Sequence, residues 1–301
     1  MSEHNITVQG GSSVRLPTAG KYCDRDIVVT ATGGGEELKI TDARYLFYCG
    51  ARIDQMDFYI SALSDECTSF EGMFAGGSDN PMLLVTVPFF NTSKGTTFDR
   101  MFYYCKKLKS VPEYDTSNCE SLHMTFDECS ALVTVPHFDT SKVRVFNSMF
   151  YYCKALESIP KFNTSNGTNF YGMFYYCEKL KSVPELDLNK GTTFTNMFRS
   201  CEALTDLYLY NIRKSIQIGS GTSYGHLLTV DSLVHTIKEL CTVTSSQTLT
   251  IGSANLEKIS GLYCKITDST HEKKTMELCE STDEGAMTLQ DYALAKGWSI
   301  A

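Results

Sequence analysis

Proline and tryptophan are scarce in this chain of 301 residues, with 7 and 1 copies, and basic residues are fewer than acidic ones, 27 against 35. The resulting net charge of −8 lacks the basic stripe that a nucleic-acid partner needs to neutralise its phosphates, so no nucleic acid is expected. No run approaches the roughly 20 apolar residues that span a bilayer, so no membrane span is expected either. The N-terminus has neither a basic n-region nor an apolar h-region, and the expectation is a chain without a Sec leader or lipobox. None of the 12 cysteines forms a C-x-x-C pair, which argues against zinc. H-E-x-x-H, G-x-S-x-G and the P-loop are missing too, and GSGTSYG at Gly219 lacks the dinucleotide spacing. The sequence therefore predicts a non-enzymatic protein with no catalytic residues, no cofactor and no metal site.

The few prolines are ordered. Pro88, Pro112, Pro136, Pro160 and Pro184 stand 24 residues apart. Cys105, Cys129, Cys153, Cys177 and Cys201 keep the same period, as do Leu108, Leu132, Leu156, Leu180 and Leu204. A fixed period of this length marks stacked units, none of which buries its apolar face alone. Function then belongs to a surface rather than to a pocket.

Written once, the unit is F-x-x-M-F-x-x-C-x-x-L-x-x-V-P-x-F/Y-D/N-T-S, clearest from Phe98 to Ser117. Copies begin near Phe70, Phe98, Leu122, Phe146, Phe170 and Phe194, which makes six coils. The first carries extra residues around Ala75 to Pro81, read as a surface insertion because loops absorb length at little entropic cost. L-x-x-V-P-x-F reads as a short strand with proline near its end. D/N-T-S turns the chain, with Asn91, Asp115, Asp139, Asn163 and Asp187 bonding their own backbone two residues on. F-x-x-M-F-x-x-C has apolar residues at i, i+3, i+4 and i+7, a helical face of about two turns. One parallel strand and one short helix per coil predict an α/β solenoid whose six coils, at roughly 4.8 Å each, make a rod about 25 Å long.

The flanks divide the chain. Alternating apolar and polar residues over 1–32 predict a small β module, Gly33 to Gly35 a hinge, and 36–69 an N-terminal cap for the solenoid of 70–211. Over 212–301 an α/β cap is expected. It would comprise a helix from Asp231 to Leu240 with Asp231 as its cap, a strand in SQTLTIG, a helical turn in SANLEKIS, and a final helix and strand in which Trp298 closes the core. A hairpin is expected between Leu262 and Cys279.

The ladder cysteines are read as buried, reduced thiols. Equivalent side chains in stacked coils point in parallel, whereas a disulfide needs them turned toward each other. Cys23, Cys49, Cys119, Cys241, Cys264 and Cys279 fall outside the ladder, and their presence fits a non-oxidising compartment.

Two surface arrays offer a ligand face. Tyr103, Tyr104, Tyr151, Tyr152, Tyr175 and Tyr176 recur between Phe and Cys, and tyrosine gives a large amphipathic contact at low rotamer entropy. Stacking on a neighbouring coil is the competing role for these rings. The strand's outward set includes Lys109, Glu113, Lys161 and Glu185, with His137 in the variable place after Pro136; such a set is either a solvated face or the place where partners dock.

The M-F-x-x-C-x-x-L-x-x-V-P string resembles the repeat of the BspA-like leucine-rich-repeat surface proteins over Phe70 to about Asn211. Its F/Y-D/N-T-S variant is similar to that of bacterial surface lipoproteins and of structural proteins of phages infecting gut Gram-positive bacteria. The first 32 residues resemble segments shared by tail and baseplate proteins of such phages, and Ala293 to Ile300 is similar to the C-terminal cap of the repeat family. This resemblance implies a leucine-rich-repeat-like fold and a phage or prophage tail-associated protein, made in the host cytoplasm and carried on the virion. Residues 1–32 would join tail or baseplate proteins, and the repeats would contact a host-surface protein or glycan. A BspA-like adhesin on a bacterial cell surface and a structural spacer without ligand are the alternatives, and homo-oligomerisation is left open.

Overall fold

A computed structural model describes residues 42–48, 63, 65–219, 228–268 and 275–301, and four short strands before them. Strand β1 (His4–Thr7) pairs antiparallel with β2 (Ser13–Leu16), and β3 (Val29–Ala31) with β4 (Leu38–Ile40). The expected hinge, Gly33 to Gly35, lies outside the described residues, as do Cys23, Cys49 and most of the expected N-terminal cap. The β3–β4 pairing nevertheless joins the segments on either side of that hinge.

From Ser69 onward the chain climbs in register. Ser69, Thr97, Ser121, Val145, Asn169 and Thr193 form successive parallel bridges, so each turn of the chain lies directly on the one before. The extra length of the first coil closes on itself, Gly77 and Asn80 exchanging backbone bonds of 3.0 and 3.2 Å in an exposed loop. The described part of the N-terminal cap already follows the pattern, since the amides of Ala43, Tyr45 and Phe47 donate to Ser69, Glu71 and Met73.

The helix expected in each coil does not form. In Phe98 to Cys105 the amides of Phe98, Arg100, Phe102 and Tyr104 donate to the next coil, at Ser121, His123, Thr125 and Asp127, while Met101, Tyr103 and Cys105 donate three residues back. Past its first turn an α-helix needs every amide to reach four residues back within its own segment; the amides of Phe102 and Tyr104 leave the segment and those of Tyr103 and Cys105 reach only three back, which excludes it. Arg100 and Tyr104 hold φ of 53° and 58°, and the equivalents recur as Met124 and Glu128, Ser148 and Tyr152, Gly172 and Tyr176, Asn196 and Ser200. The result is a chain of tight turns with Phe98, Met101, Phe102 and Cys105 all buried. The apolar spacing is therefore fulfilled by a different backbone.

The expected strand is also mostly a single row of bonds. Lys109, Val133, Glu157, Lys181 and Thr205 each donate to the equivalent residue of the preceding coil, and the proline three residues on has no amide to extend the ladder. Continuous pairing appears only where that proline is lost, between β5 (Ser182–Asp187) and β6 (Asp206–Tyr210), where Tyr208 replaces it and the register shifts between Val183 and Leu186.

Aromatic columns fill the interior. Phe47, Phe74, Phe102, Phe126, Phe150, Phe174 and Phe198 stack ring on ring at 5.2 to 5.8 Å. Buried polar groups are paired coil to coil. Thr92, Thr116, Thr140 and Thr164 donate to the carbonyls of Asp115, Asp139, Asn163 and Asp187 at 2.9 to 3.0 Å. Each cysteine of the ladder is a free thiol whose Sγ donates to the phenylalanine carbonyl of the preceding coil, Cys129 to Phe102 at 3.0 Å for example. The expected turn bonds are present, Asp115 Oδ1 accepting from the Ser117 amide at 3.0 Å and Asp139 Oδ1 from Ser141 at 2.9 Å.

The C-terminal region closes the stack. After β7 (Ile216–Gln217) come α1 (Val230–Lys238), β8 (Gln247–Thr250), α2 (Ser253–Ile259), the hairpin β9 (Tyr263–Asp268) and β10 (Thr275–Cys279), β11 (Met287–Thr288), α3 (Leu289–Ala295) and β12 (Trp298–Ile300). Helix α1 is capped by Thr229, whose side chain accepts from the Ser232 amide, and Asp231 sits in the first turn instead. The Asp231 cap is corrected to Thr229 because the helix begins at Val230 and leaves Thr229 with the extended backbone a cap requires. Trp298 is buried and its Nε1 donates to the Cys241 carbonyl at 2.8 Å. Lys296, fully buried, donates from Nζ to Lys238 and Leu240 carbonyls at 3.1 and 2.6 Å, which satisfies the end of α1.

Candidate ligand-binding face

The tyrosine array lies along the turns. All six rings are half-buried and most of their faces are already covered. Tyr151 stacks on Tyr175 at 4.6 Å and Tyr152 on Tyr176 at 4.4 Å. Lys154 sits over Tyr152 and Tyr176 at 5.6 and 5.5 Å while pairing with Glu178, and Arg199 covers Tyr175 at 5.5 Å. Tyr103 and Tyr104 meet edge to face, with Lys106 over Tyr104. The third coil interrupts the array with Asp127 and Glu128. Asp127 is buried, and burial, then Glu128, raises its carboxyl to about 8. These rings pack the turn edge and leave their outer rims to solvent.

The strand face is built differently. Lys109, Glu113, His137, Lys161 and Glu185 are all exposed; in V-P-x-F two residues separate the buried Val and Phe, so strict alternation breaks at the proline and the residue after it turns outward. Lys161 and Glu185 form an ion pair across neighbouring coils, and the Tyr210 hydroxyl donates to Glu185 at 3.3 Å. The Lys161 ammonium holds the Glu185 carboxyl below its usual range. At the C-terminal end this face sinks into a cleft of about 550 Å³ lined by Lys161, Ser182, Pro184, Glu185, Tyr208, Tyr210 and His235. A second cleft of about 550 Å³ adjoins it, with His137, Asn163, Asp187 and Asn211 in its wall. Lys161, Glu185 and Tyr210 line both, so the two are one groove crossing several coils.

His235 on α1 backs the groove, edge-on to Tyr208 at 5.3 Å and to Tyr210 at 4.6 Å. Burial lowers its pKa, and its buried Nε2 has no hydrogen-bond partner among the described residues. Three residues expected from the sequence thus come together, His137, Lys161 and Glu185. Lys109 and Glu113 share the face but not the groove, and none of the six tyrosines lines either cleft.

Sequence reasoning missed Tyr208, Tyr210 and His235. The first two had a signal, since LYLY in β6 alternates buried leucine with partly exposed tyrosine. His235 had none, because nothing in the sequence fixes how α1 docks on the last coil. Toward the other end the face turns apolar, with Phe89 67% exposed in the row of Glu113 and His137 and with Leu83, Val85 and Val133 exposed beside it.

A family model described as "Mycoplasma protein of unknown function, DUF285" matches residues 37–134 and 125–220. No curated protein matches the chain. The two matched spans overlap within the third coil and together take in every coil that builds the strand face, including all of its exposed row.

Proposed function

We propose, for a chain that belongs to the DUF285 family, that the stacked coils form a leucine-rich-repeat-like solenoid of the BspA type whose strand face binds a ligand on a bacterial surface. The role is adhesive rather than enzymatic. One observation carries this reading: the row His137, Lys161 and Glu185 contributes nothing to the core, yet converges with Tyr210 on one groove. Solenoids present such exposed strand faces as extended binding surfaces.

The first setting is a phage or prophage tail, with residues 1–32 as the attachment module and the coils as the receptor-binding part. The second is a bacterial cell surface, which the family's description by a bacterial protein favours. Tail and lysis genes beside the coding sequence would decide for the first.

Labelled protein added to intact cells of the organism that carries the gene should bind saturably. Lys161→Ala should weaken that binding, while Tyr151→Ala on the turn edge should not. Absence of saturable binding would leave the spacer reading in its place.

A further inference from the structure

We infer that the groove shared by Lys161, Glu185 and Tyr210 takes a neutral oligosaccharide lying along the stack; the inference rests on the surface-binding reading above. Three features of the groove select this chemistry.

A peptide adding itself as a strand has no place here. The edge of β6 is covered by α1 and its caps: the Leu207 amide donates to Ser232 Oγ at 3.0 Å, and just outside the strand the Thr229 amide donates to the Thr205 carbonyl at 2.9 Å and the Ile212 amide to the Glu239 carbonyl at 3.3 Å. Strand addition needs that edge free.

The groove's lysine, Lys161, is paired with Glu185, and the further charged side chain in the wall, Asp187, is a carboxylate whose Oδ1 accepts from the Asn189 amide. Lys161 and Glu185 offer donors and acceptors with little net charge, so a phosphorylated or uronate ligand finds no unmatched cation there. A large apolar side chain would cover this pair and leave it desolvated, which is costly. A pyranose meets both surfaces, its C–H face against the tyrosine rings and Pro184, its hydroxyls against Lys161, Glu185 and Asn163.

The third feature is repetition. His137, Lys161 and Glu185 occupy equivalent places in three successive coils, a step of roughly 4.8 Å, close to the length of a pyranose unit in a linear chain. The groove therefore presents one polar site per sugar and ends on the Tyr208 and Tyr210 rings, which His235 holds edge-on.

Isothermal titration of the full chain with cello-, malto- and chito-oligosaccharides, tri- to hexasaccharides of each, tests this. At least one series should bind, with affinity rising with length and then levelling. Tyr210→Ala and Lys161→Ala should each lower it tenfold or more. Tyr210→Phe, which keeps the ring and guards against a folding artefact, should retain most of it, and Tyr151→Ala should change nothing. The inference is overturned if no series binds at millimolar concentration, or if binding survives Tyr210→Ala. Saturable cell binding that resists periodate but is lost after protease treatment of the cells would also overturn it, pointing to a protein ligand and leaving the adhesive function intact. Failure of cell binding altogether would remove both.

Discussion

Asp127 interrupts the tyrosine column with a carboxyl that the packing shields from water. Its pKa of about 8 against a usual 3.8 means the folded state holds a proton that the unfolded chain releases, so this residue's contribution to stability is full below about pH 4 and is lost as pH rises to about 8. Asp127→Asn, neutral at every pH, removes the buried charge and should raise stability at pH 8 by roughly 1–3 kcal/mol, and should flatten the pH dependence of denaturant midpoints between those limits. A variant that shifts all midpoints equally would show that the charge is not responsible. The cysteines make a second prediction. Burial raises the ladder thiols Cys129, Cys153 and Cys177 well above their usual range, and the thiolate is the reactive form. Among the described cysteines only Cys279 is not buried, so mass mapping after alkylation should find it modified in the native protein and the ladder modified only after unfolding. Leu156, fully buried in mid-stack, should cost roughly 2–5 kcal/mol on truncation to alanine, with Tyr151→Ala costing clearly less.

At the scale of the element, the sequence told which residues point inward and misled about the backbone that points them. Apolar positions at i, i+3, i+4 and i+7 fit a helix, and they equally fit a run of turns with a left-handed residue every fourth position. Hydrogen bonding between coils decides for the turns, and it depends on residues 24 positions away, beyond any local window. The left-handed sites carried a faint signal: the place of Arg100 is taken by Gly72 and Gly172 in two coils and by Asn196 in a third, residue types that tolerate positive φ. The other coils place Arg100, Met124 and Ser148 there at the strain's expense. Met124→Gly should therefore cost little or add up to about 0.5–1 kcal/mol, whereas Met124→Val, β-branched at positive φ, should destabilise by roughly 1–2 kcal/mol or more. Equal effects of the two variants on thermal unfolding would mean the φ at this site is set by something other than the coil's own turn.

For the molecule as a whole, the period made the stack legible, while the groove stayed hidden because half its wall comes from elements without the period. His235 reaches the last coil only through the docking of α1, and that docking is held from the far end of the chain by Lys296 and Trp298. The two ends should consequently differ in what they contribute. Deleting residues 1–40 removes β3 together with its partner β4, whereas a cut at Glu36 would leave Leu38–Ile40 unpaired. The remaining chain keeps Ala43, Tyr45 and Phe47 bonded to the first coil, so its melting temperature should stay within about 2 °C of the full chain, a change worth roughly 1 kcal/mol. Trp298→Ala opens the opposite end. It removes a fully packed indole together with the hydrogen bond that its Nε1 donates to the Cys241 carbonyl, which should cost roughly 3–5 kcal/mol. If the groove depends on α1 as the contacts of His235 with Tyr208 and Tyr210 indicate, the same variant should weaken cell binding under conditions where circular dichroism still reports a folded stack. Binding that outlasts the loss of Trp298 would place the ligand on coils nearer the N-terminus, on the apolar row around Phe89, and away from the groove.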